Sequence, residues 1–520
     1  MTDLEKLKSA ATLNDVANLL GYKPKSLAYI LYKKPKDKRY KTFEIPKNSC
    51  GMRTISAPYP DLKTLQKRLH DLLRHCINEI NATKKISSAL SHGFRRNYSI
   101  ITNAAIHRNK RYVFNIDLKD FFGTINFGRV RGFFISNNNF NLNPKVATVL
   151  AQIACYNNAL PQGSPSSPIV SNLIGHILDI RLASLAKKTS CSYSRYADDL
   201  TFSTNKRDFP KEIAKLDGMD GHQWIVGKNL AKIIKRSGFA VNESKTRMQY
   251  ISSRQDVTGL VVNAKVNTRS EYRKKARAMV HRLINTGEFQ FEELVCDEEG
   301  EETEVMVNGT LDQLSGILSF IDSVSVYNIK KDIKPKDLKK PLTPPEYPDS
   351  NERTYRSFLV YKNFHSPPKP VVVCEGKTDN IYLKAAIENL VESHPTLASK
   401  NKDGKIDFKI DFFKRNATTG RILGLGGGSG ELKENLHIRA VGQKHPVILL
   451  IDNDDGAKGL YGYAKNIKKS KIDPASPFIH VNMNLYIVPT PLTDAGKDTM
   501  IEDFFNNLHA QTGTTKDESV

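Results

Sequence analysis

The sequence predicts a multidomain chain: an α+β module, a small helical unit, and an α/β module built on a parallel sheet. Three observations carry that reading. The run SRYADDLTFS (194–203) sets Asp198 and Asp199 between β-prone apolar residues, as at the tip of a hairpin. The stretch 331–369 is dense in proline and charge, the composition of a linker. Beyond it, strand-like apolar runs alternate with helical segments, the signature of a parallel sheet.

At 520 residues the chain is long enough for several cores. Its net charge is +23, and residues 371–520 hold 19 Lys and Arg against 19 Asp and Glu, so the first 370 residues carry the whole excess. A field that positive favours a polyanion such as RNA or DNA. An anionic membrane is the competing partner, but no long apolar run or strong basic amphipathic helix supports it. The six cysteines are scattered without a C-x-x-C pair, which argues against a zinc site or a disulfide framework. The N-terminal MTDLEKLKSA lacks an apolar signal core. The expectation is a soluble cytoplasmic protein with no membrane partner.

In order along the chain, residues 2–34 read as short helices, and Tyr40 to Pro58 as extended chain around a glycine-containing turn. Apolar positions 62, 65, 69, 72, 73, 76, 77 and 80 have helical spacing. VFNIDL (113–118) reads as a strand; 144–156 and 167–188 as helices; SYSRYADDLTFST as the hairpin; and 224–239 as a helix ending in glycine. Residues 270–330 read as a helical unit interrupted by an exposed acidic loop, DEEGEETE (297–304). No internal repeat is evident. The implied divisions are 1–45, an N-terminal helical segment; 46–255; 256–330; the linker 331–369; and the α/β module 370–520.

Two adjacent acids are most often a solvated turn. Here Asp117 closes the strand FNIDL and supplies a third carboxylate at the same sheet edge. Adjacent acids repel unless a cation neutralises them, and two-metal phosphoryl transfer needs such a cluster. Phe122 lies five residues after Asp117, where an aromatic could floor a sugar pocket. Between these segments LPQGSPSSPIVSN (160–172) is a loop of small residues feeding a helix, which permits close backbone approach to a nucleotide or simply caps the helix.

The acid strand, the PQG loop-helix and the ADD hairpin, in this order over about residues 40–330, resemble the reverse transcriptase family. The resemblance implies a right-hand polymerase, with fingers and palm over 46–255 and a helical thumb over 256–330. It implies that Asp117, Asp198 and Asp199 bind two Mg2+ ions, with Leu118 lending a backbone carbonyl. Phe122 resembles the steric gate against a ribose 2′-hydroxyl, Gln162 a nucleotide-pocket residue, and Lys245 a proton donor to pyrophosphate, though a lone lysine on a basic surface is more often solvated. Arg53 and Arg95 fall where fingers residues meet the triphosphate of a deoxynucleotide. NAAIH (103–107) and VTG (257–259) resemble elements that mark retron enzymes. That likeness implies a cognate structured noncoding RNA as template and primer, priming from a guanosine 2′-hydroxyl, and RNA-linked single-stranded DNA as product. Asn103 and His107, and Arg273, Lys274, Lys275 and Arg277 in the thumb, are then candidate RNA contacts. Tyr98, Tyr112, Tyr272 and Trp224 either stack bases or pack.

A second acidic site lies downstream. VVVCEGKTDNIYL (371–383) puts Glu375 at a strand end before Gly376, and VILLIDNDDGAKGL (447–460) ends a strand with Asp452 and Asp454. Acids at the carboxyl ends of parallel strands sit where such sheets bind ligands. An Asp-x-Asp pair suits Mg2+. This pair of motifs resembles the Toprim domain of OLD-like nucleases. By that likeness Glu375 is a general acid/base, Asp452 and Asp454 hold Mg2+ or Mn2+, and Gly376, Asp379, Glu502 and Asp503 complete the site. The glycine-rich GLGGGSGEL (424–432) lacks the Gly-Lys-Ser/Thr of a phosphate loop and reads as a strand–helix turn. The combined expectation is a retron polymerase joined to a Toprim nuclease in anti-phage defence. An intron-maturase-like reverse transcriptase, or a catalytically silent RNA-binding scaffold that controls the Toprim domain, stays open, as does homo-oligomerisation.

Overall fold

The computed structural model describes residues 1–46, 51–86, 88–217, 223–296, 302–333, 342, 347–376, 378–425, 444–493 and 496–504. They form two compact units, one of Met1–Arg269 with Leu294–Glu304, the other of Ser270–Glu293 with Val305 onward.

The first unit opens with α1 (Asp3–Ser9), α2 (Leu13–Leu19) and α3 (Pro24–Ala28). Thr2 and Thr12 start the first two through reciprocal capping boxes with Glu5 and Asp15. These helices are not a separate segment: Leu7, Val16, Leu20 and Leu27 sit in the same core as the helices that follow. The hairpin β1 (Tyr40–Pro46) and β2 (Met52–Pro58) leads into α4 (Pro60–Thr83). Its stripe of Leu62, Leu65, Leu69, Leu72, Leu73 and Cys76 is buried. Burying each leucine stabilises by about 1.5–3 kcal/mol. Next come α5 (Ile100–Ile106), β3 (Tyr112–Leu118), α6 (Phe127–Ser136), α7 (Pro144–Ala154) and α8 (Ser167–Lys188). By length and composition α8 could cross a membrane, but its Ile169, Val170, Ile174, Leu178 and Leu182 are spent on the core.

The hairpin β4 (Ser192–Tyr196) and β5 (Asp199–Thr204) is followed by the small pair β6 (Ala214–Leu216) and β7 (Trp224–Val226), then α9 (Lys228–Arg236) and β8 (Val241–Tyr250). The helix expected over 224–239 is therefore shorter. The branched, aromatic stretch Trp224–Val226 pairs as a strand, and Gly227 caps the helix after it. The sheet order is β4-β5-β3-β8, all antiparallel. A tight pair, β9 (Asp256–Val257) and β10 (Leu260–Val261), closes the unit, its turn made by Thr258 and Gly259 at φ +48° and +81°.

The second unit begins with α10 (Ser270–Thr286). Strands β11 (Gln290–Cys296) and β12 (Glu302–Asn308) pair with each other, the part from Leu294 to Glu304 counting with the first unit; residues 297–301 of the acidic stretch lie outside the described residues. Then come α11 (Leu311–Asp332) and α12 (Ser350–Val360). The linker expected over 331–369 is not linker throughout, because Ser350–Val360 folds as α12. Tyr355, Phe358 and Leu359 recur at helical spacing and are buried, and Asp349 caps the helix in a box with Glu352. Most of the proline-rich part, 334–341 and 343–346, lies outside the described residues.

The α/β part runs β13 (Val371–Cys374), α13 (Asp379–Asn389), the hairpin β14 (Ala398–Lys400) and β15 (Ile406–Phe408), β16 (Asp411–Phe412), α14 (Ala417–Leu423), β17 (Val447–Ile451), α15 (Lys458–Lys468), β18 (Ile479–Asn482) and β19 (Leu485–Pro489). The sheet order is β16-β13-β17-β19-β18, parallel throughout except for edge strand β18. Val371, Val373, Leu449 and Ile487 share a core with Val280, Leu283, Leu314 and Leu318 of α10 and α11 and with Tyr355 and Phe358 of α12. The divisions expected at 330 and 369 thus fall inside one core. Residues 426–432 of the glycine-rich loop lie outside the described residues.

Candidate active site

β3 is the centre of the first sheet, and its register fixes the acids. Asp117 pairs across to Asp199 on β5 and to Asn242 on β8. Asp198 sits in the turn, where its carbonyl accepts the Leu118 amide at 3.0 Å. Asp117 is buried at 8% exposure; Asn242 donates to its Oδ1 at 2.8 Å, and the Lys245 ammonium stands 3.4 Å from its Oδ2. Burial, then the neighbouring acids, pushes Asp199 up to about 6, and burial and Asp117 raise Asp198. By surface area Asp199 reaches solvent at the rim of the cluster even though protein crowds around its carboxylate, so the concentration of like charge there is what a divalent ion would relieve. Among the described residues no three acids stand close enough to grip one ion as they are arranged. Mg2+ keeps several waters and needs only one or two carboxylates, so the donor set fits it, with Lys245 the cation now beside Asp117.

Phe122 is half-buried beside Phe94 and Phe121, with ring centroids 6.1 and 5.5 Å away. Gln162 is tied to the β1–β2 hairpin: its carbonyl accepts the Ser56 amide at 2.8 Å. Gly163 follows at φ +112°, where a Cβ would lie 3.0 Å from the Ser56 carbonyl oxygen. The buried Gln66 of α4, missed by sequence reasoning, accepts from Ser164 and donates to Tyr40 and the Ile153 carbonyl. Arg53, exposed on β2, is near enough to lower Asp198. Arg95 stacks 5.3 Å over Tyr98 and lines a cavity of about 1140 Å³ with His70, Arg74, Arg96 and His176.

Asn103 and His107 are not RNA contacts. Both are fully buried: His107 Nδ1 bonds Ser203 at 2.7 Å, its Nε2 bonds Ser194 at 2.8 Å, and Ser194 donates to Asn103 at 2.7 Å. One face of α5 is thereby pinned to the acid hairpin. Thr258 of the VTG turn donates to the Ile100 carbonyl at the start of the same helix, at 3.1 Å. The two strings are one assembly. Lys274 is exposed on α10, Lys275 pairs with Glu292, Arg277 bonds Ser350, and Arg273 is half-buried. Of the four aromatic candidates, Tyr98 meets His92, Tyr112 meets Phe209 and Tyr250, and Trp224 meets Phe209, whereas Tyr272 meets Phe320 but stays exposed.

In the second unit, Glu375 follows β13 and Asp452 follows β17, and the Asp452 amide lies 3.4 Å from Glu375 Oε2. Asp379 accepts the Gly376 amide at 2.6 Å, and a Cβ on Gly376 would lie 2.4 Å from that carboxylate. The Ile501 amide donates to Asp452 at 2.9 Å, which brings Glu502 alongside. Burial raises Glu375 and Asp452, and the mutual charge of Asp379, Asp452 and Asp454 around Glu375, and of Asp379, Glu502 and Asp454 around Asp452, adds to it. Asp454 also caps the turn at Gly456, and Asp503 turns away to cap the Met500 amide. The buried Asn453 between the two aspartates bonds Thr490, Pro474 and Tyr461 and fixes the strand end; sequence reasoning passed over it.

The profile of the family described as "Reverse transcriptase (RNA-dependent DNA polymerase)" matches residues 45–291. The chain is 34% identical over 275 residues to the "Retron Ec86 reverse transcriptase" of Escherichia coli, covering 52% of this chain and 78% of that protein. It is 34% identical over 290 residues to the "Retron Mx65 reverse transcriptase" of Myxococcus xanthus, covering 52% of this chain and 62% of that protein. A solved telomerase from Candida albicans, in complex with a TWJ fragment of telomeric RNA, aligns over 62% of this chain and 60% of that one at 12% identity and a TM-score of 0.32, too loose a match to carry an argument. The sheet with its three acids is thus the palm of a reverse transcriptase. The chain belongs to the retron reverse transcriptase family.

Proposed function

We propose that this chain is a cytoplasmic RNA-directed DNA polymerase of retron type. It would copy a cognate structured noncoding RNA into RNA-linked, branched single-stranded DNA, primed from a guanosine 2′-hydroxyl, with deoxynucleoside triphosphates as substrates. The observation that carries this is Asp117 set opposite Asp199 with Asp198 at the turn, beside Phe122 and the anchored Gln162–Gly163 loop. Asp117, Asp198, Asp199 and the Leu118 carbonyl would hold Mg2+, which when bound supplies charge neutralisation for the attacking and leaving oxygens. The residues themselves orient: Phe122 fits a gate against a 2′-hydroxyl, Arg53 a triphosphate contact, and Lys245 a proton source for the leaving pyrophosphate. Lys274 and its neighbours on α10 suit an RNA backbone. Nucleic acid recovered with the protein from its host tests this. Short single-stranded DNA joined to RNA is expected, absent from an Asp198→Ala/Asp199→Ala variant. RNA alone from both would leave the scaffold reading.

For the second unit we infer a Toprim nuclease that uses Mg2+ or Mn2+, restrained by the RNA–DNA product until infection disturbs it. Its support is the convergence of Glu375, Asp379, Asp452, Asp454 and Glu502 at the carboxyl ends of adjacent parallel strands. Toxicity that survives Glu375→Ala would overturn this.

A further inference from the structure

Arg195 heads the fully buried side chains by size, and the three-carboxylate chemistry gives it no role. It stands on β4, three residues before Asp198. Its Nε donates to Asp179 Oδ1 at 2.7 Å; one terminal nitrogen donates to Asp179 Oδ2 at 2.8 Å and to Asn172 at 3.3 Å; the other donates to the Ala197 carbonyl at 2.9 Å. Ala197 has φ +55°, a left-handed conformation that an alanine rarely adopts. The guanidinium therefore reaches from the strand into the turn that presents the acids.

Its partners come from different parts of the unit. Asp179 and Asn172 lie on α8, downstream of the Gln162 loop. Asn172 also accepts from Ser91 at 2.9 Å and donates to the Gly93 carbonyl at 2.8 Å, and Tyr193 donates to Asp179 at 2.8 Å. The Arg195 backbone bonds Leu90 and His92 at 2.9 and 2.8 Å. Two glycines make the room: a Cβ on Gly175 would lie 2.8 Å from the guanidinium, and one on Gly93 would lie 2.7 Å from the Ala197 nitrogen. A buried ion pair is weak evidence for stability, since apolar residues of the same volume often serve as well. What a flat, five-donor guanidinium adds over them, or over lysine, is fixed direction.

We propose that Arg195, held by Asp179 and Asn172, is a positioning residue for nucleotide addition: it sets the Ala197 turn and thereby the direction in which Asp198 presents its carboxylate. This rests on the polymerase reading. The test is single-nucleotide primer extension by the full chain with Mg2+, with an unfolding curve for each protein, comparing Arg195→Lys, Asp179→Asn and Gly175→Ala with the unaltered chain. Expected are kcat per folded molecule at least tenfold lower on the order of one lost oriented contact, a KM for the deoxynucleotide nearly unchanged, and a higher half-saturating Mg2+ concentration. Mn2+ binding followed by electron paramagnetic resonance, in an Asp452→Asn/Asp454→Asn background, should weaken in parallel. Gly175→Ala displaces the guanidinium while removing none of its hydrogen-bonding partners; the overpacking costs stability, which the unfolding curve reads, and a purely structural role predicts an unchanged kcat per folded molecule. Unchanged kcat per folded molecule and unchanged Mn2+ binding in all three variants would overturn the proposal. An unaltered chain that extends no primer would instead sink the polymerase reading, and the proposal with it.

Discussion

Lys245 on β8 holds its ammonium 3.4 Å from Oδ2 of Asp117, while Asn242 occupies the other oxygen of the same carboxylate. The lysine is 60% exposed, so it stays free to turn toward a leaving group, whereas Asp117 is fixed.

Lys245→Ala should slow nucleotide addition by about 10²-fold, the usual weight of one general acid. Its effect on the unfolding midpoint should be small, because the Lys245 ammonium is largely in solvent, and a pair screened in that way is worth about 1 kcal/mol or less. Rapid-quench incorporation of one nucleotide measures the first, thermal unfolding the second. Equal rates for Lys245→Ala and the unaltered protein would remove Lys245 from the chemistry.

The network around His107 predicts a pH dependence of stability. Burial depresses His107 to about 3 and His92 to about 4. The unfolded chain takes up these protons near 6.5 and the folded one does not. Stability is therefore whole above about pH 6.5 and falls as pH drops from there toward 3–4, by up to about 1.4 kcal/mol per pH unit for each histidine. The crowded Asp199 contributes in the opposite direction below 6, so the useful quantity is a difference. His107→Gln should flatten the denaturant-derived slope between pH 6.5 and 5 relative to the unaltered protein. Parallel slopes would mean that His107 is protonated in the fold.

On the Toprim reading proposed for the second unit, Glu375→Ala and Asp452→Ala should each lower nuclease activity by about 10²-fold or more, with DNA synthesis intact. Host growth and product DNA measured in the same cells report both. Loss of both functions together would point to misfolding instead.

Arg421 of α14 is 3% exposed and pairs with Asp322 of α11 and Glu352 of α12. Arg421→Ala strands two buried carboxylates and should cost about 3–5 kcal/mol. Hydrogen exchange should speed first in α11, α12 and α14. Exchange unchanged there would show that solvent already reaches the acids.

The acids of both units were legible because strand-end carboxylates leave a local pattern: a β-prone run, then an acid, then a turn or glycine. NAAIH was legible as a string and misread as a surface. Asn103 and His107 share a helix face, but only the β4–β5 pairing brings Ser194 and Ser203 to meet them, and tertiary pairing leaves no mark on residues 103–107. The segment 350–360 was hidden by its flanking prolines, although Tyr355, Phe358 and Leu359 already had the spacing of a core helix. Nothing in the run SRYADDLTFS marks Arg195 as internal; only the opposing Asp179 and the missing Cβ of Gly175 show that it is inside.

The shared core of α10, α11 and α12 with the parallel sheet bears on how such a chain could have arisen. A join made in the proline-rich stretch would leave Val371, Val373 and Leu449 facing water on one side of the break and Leu314 and Leu318 on the other. A large apolar face of that kind is an aggregation hazard. The family match runs through residue 291 and so takes in α10; whatever the origin of the parallel sheet, its apolar face and that of α10–α12 are therefore expected to have been fitted to each other after the two were joined.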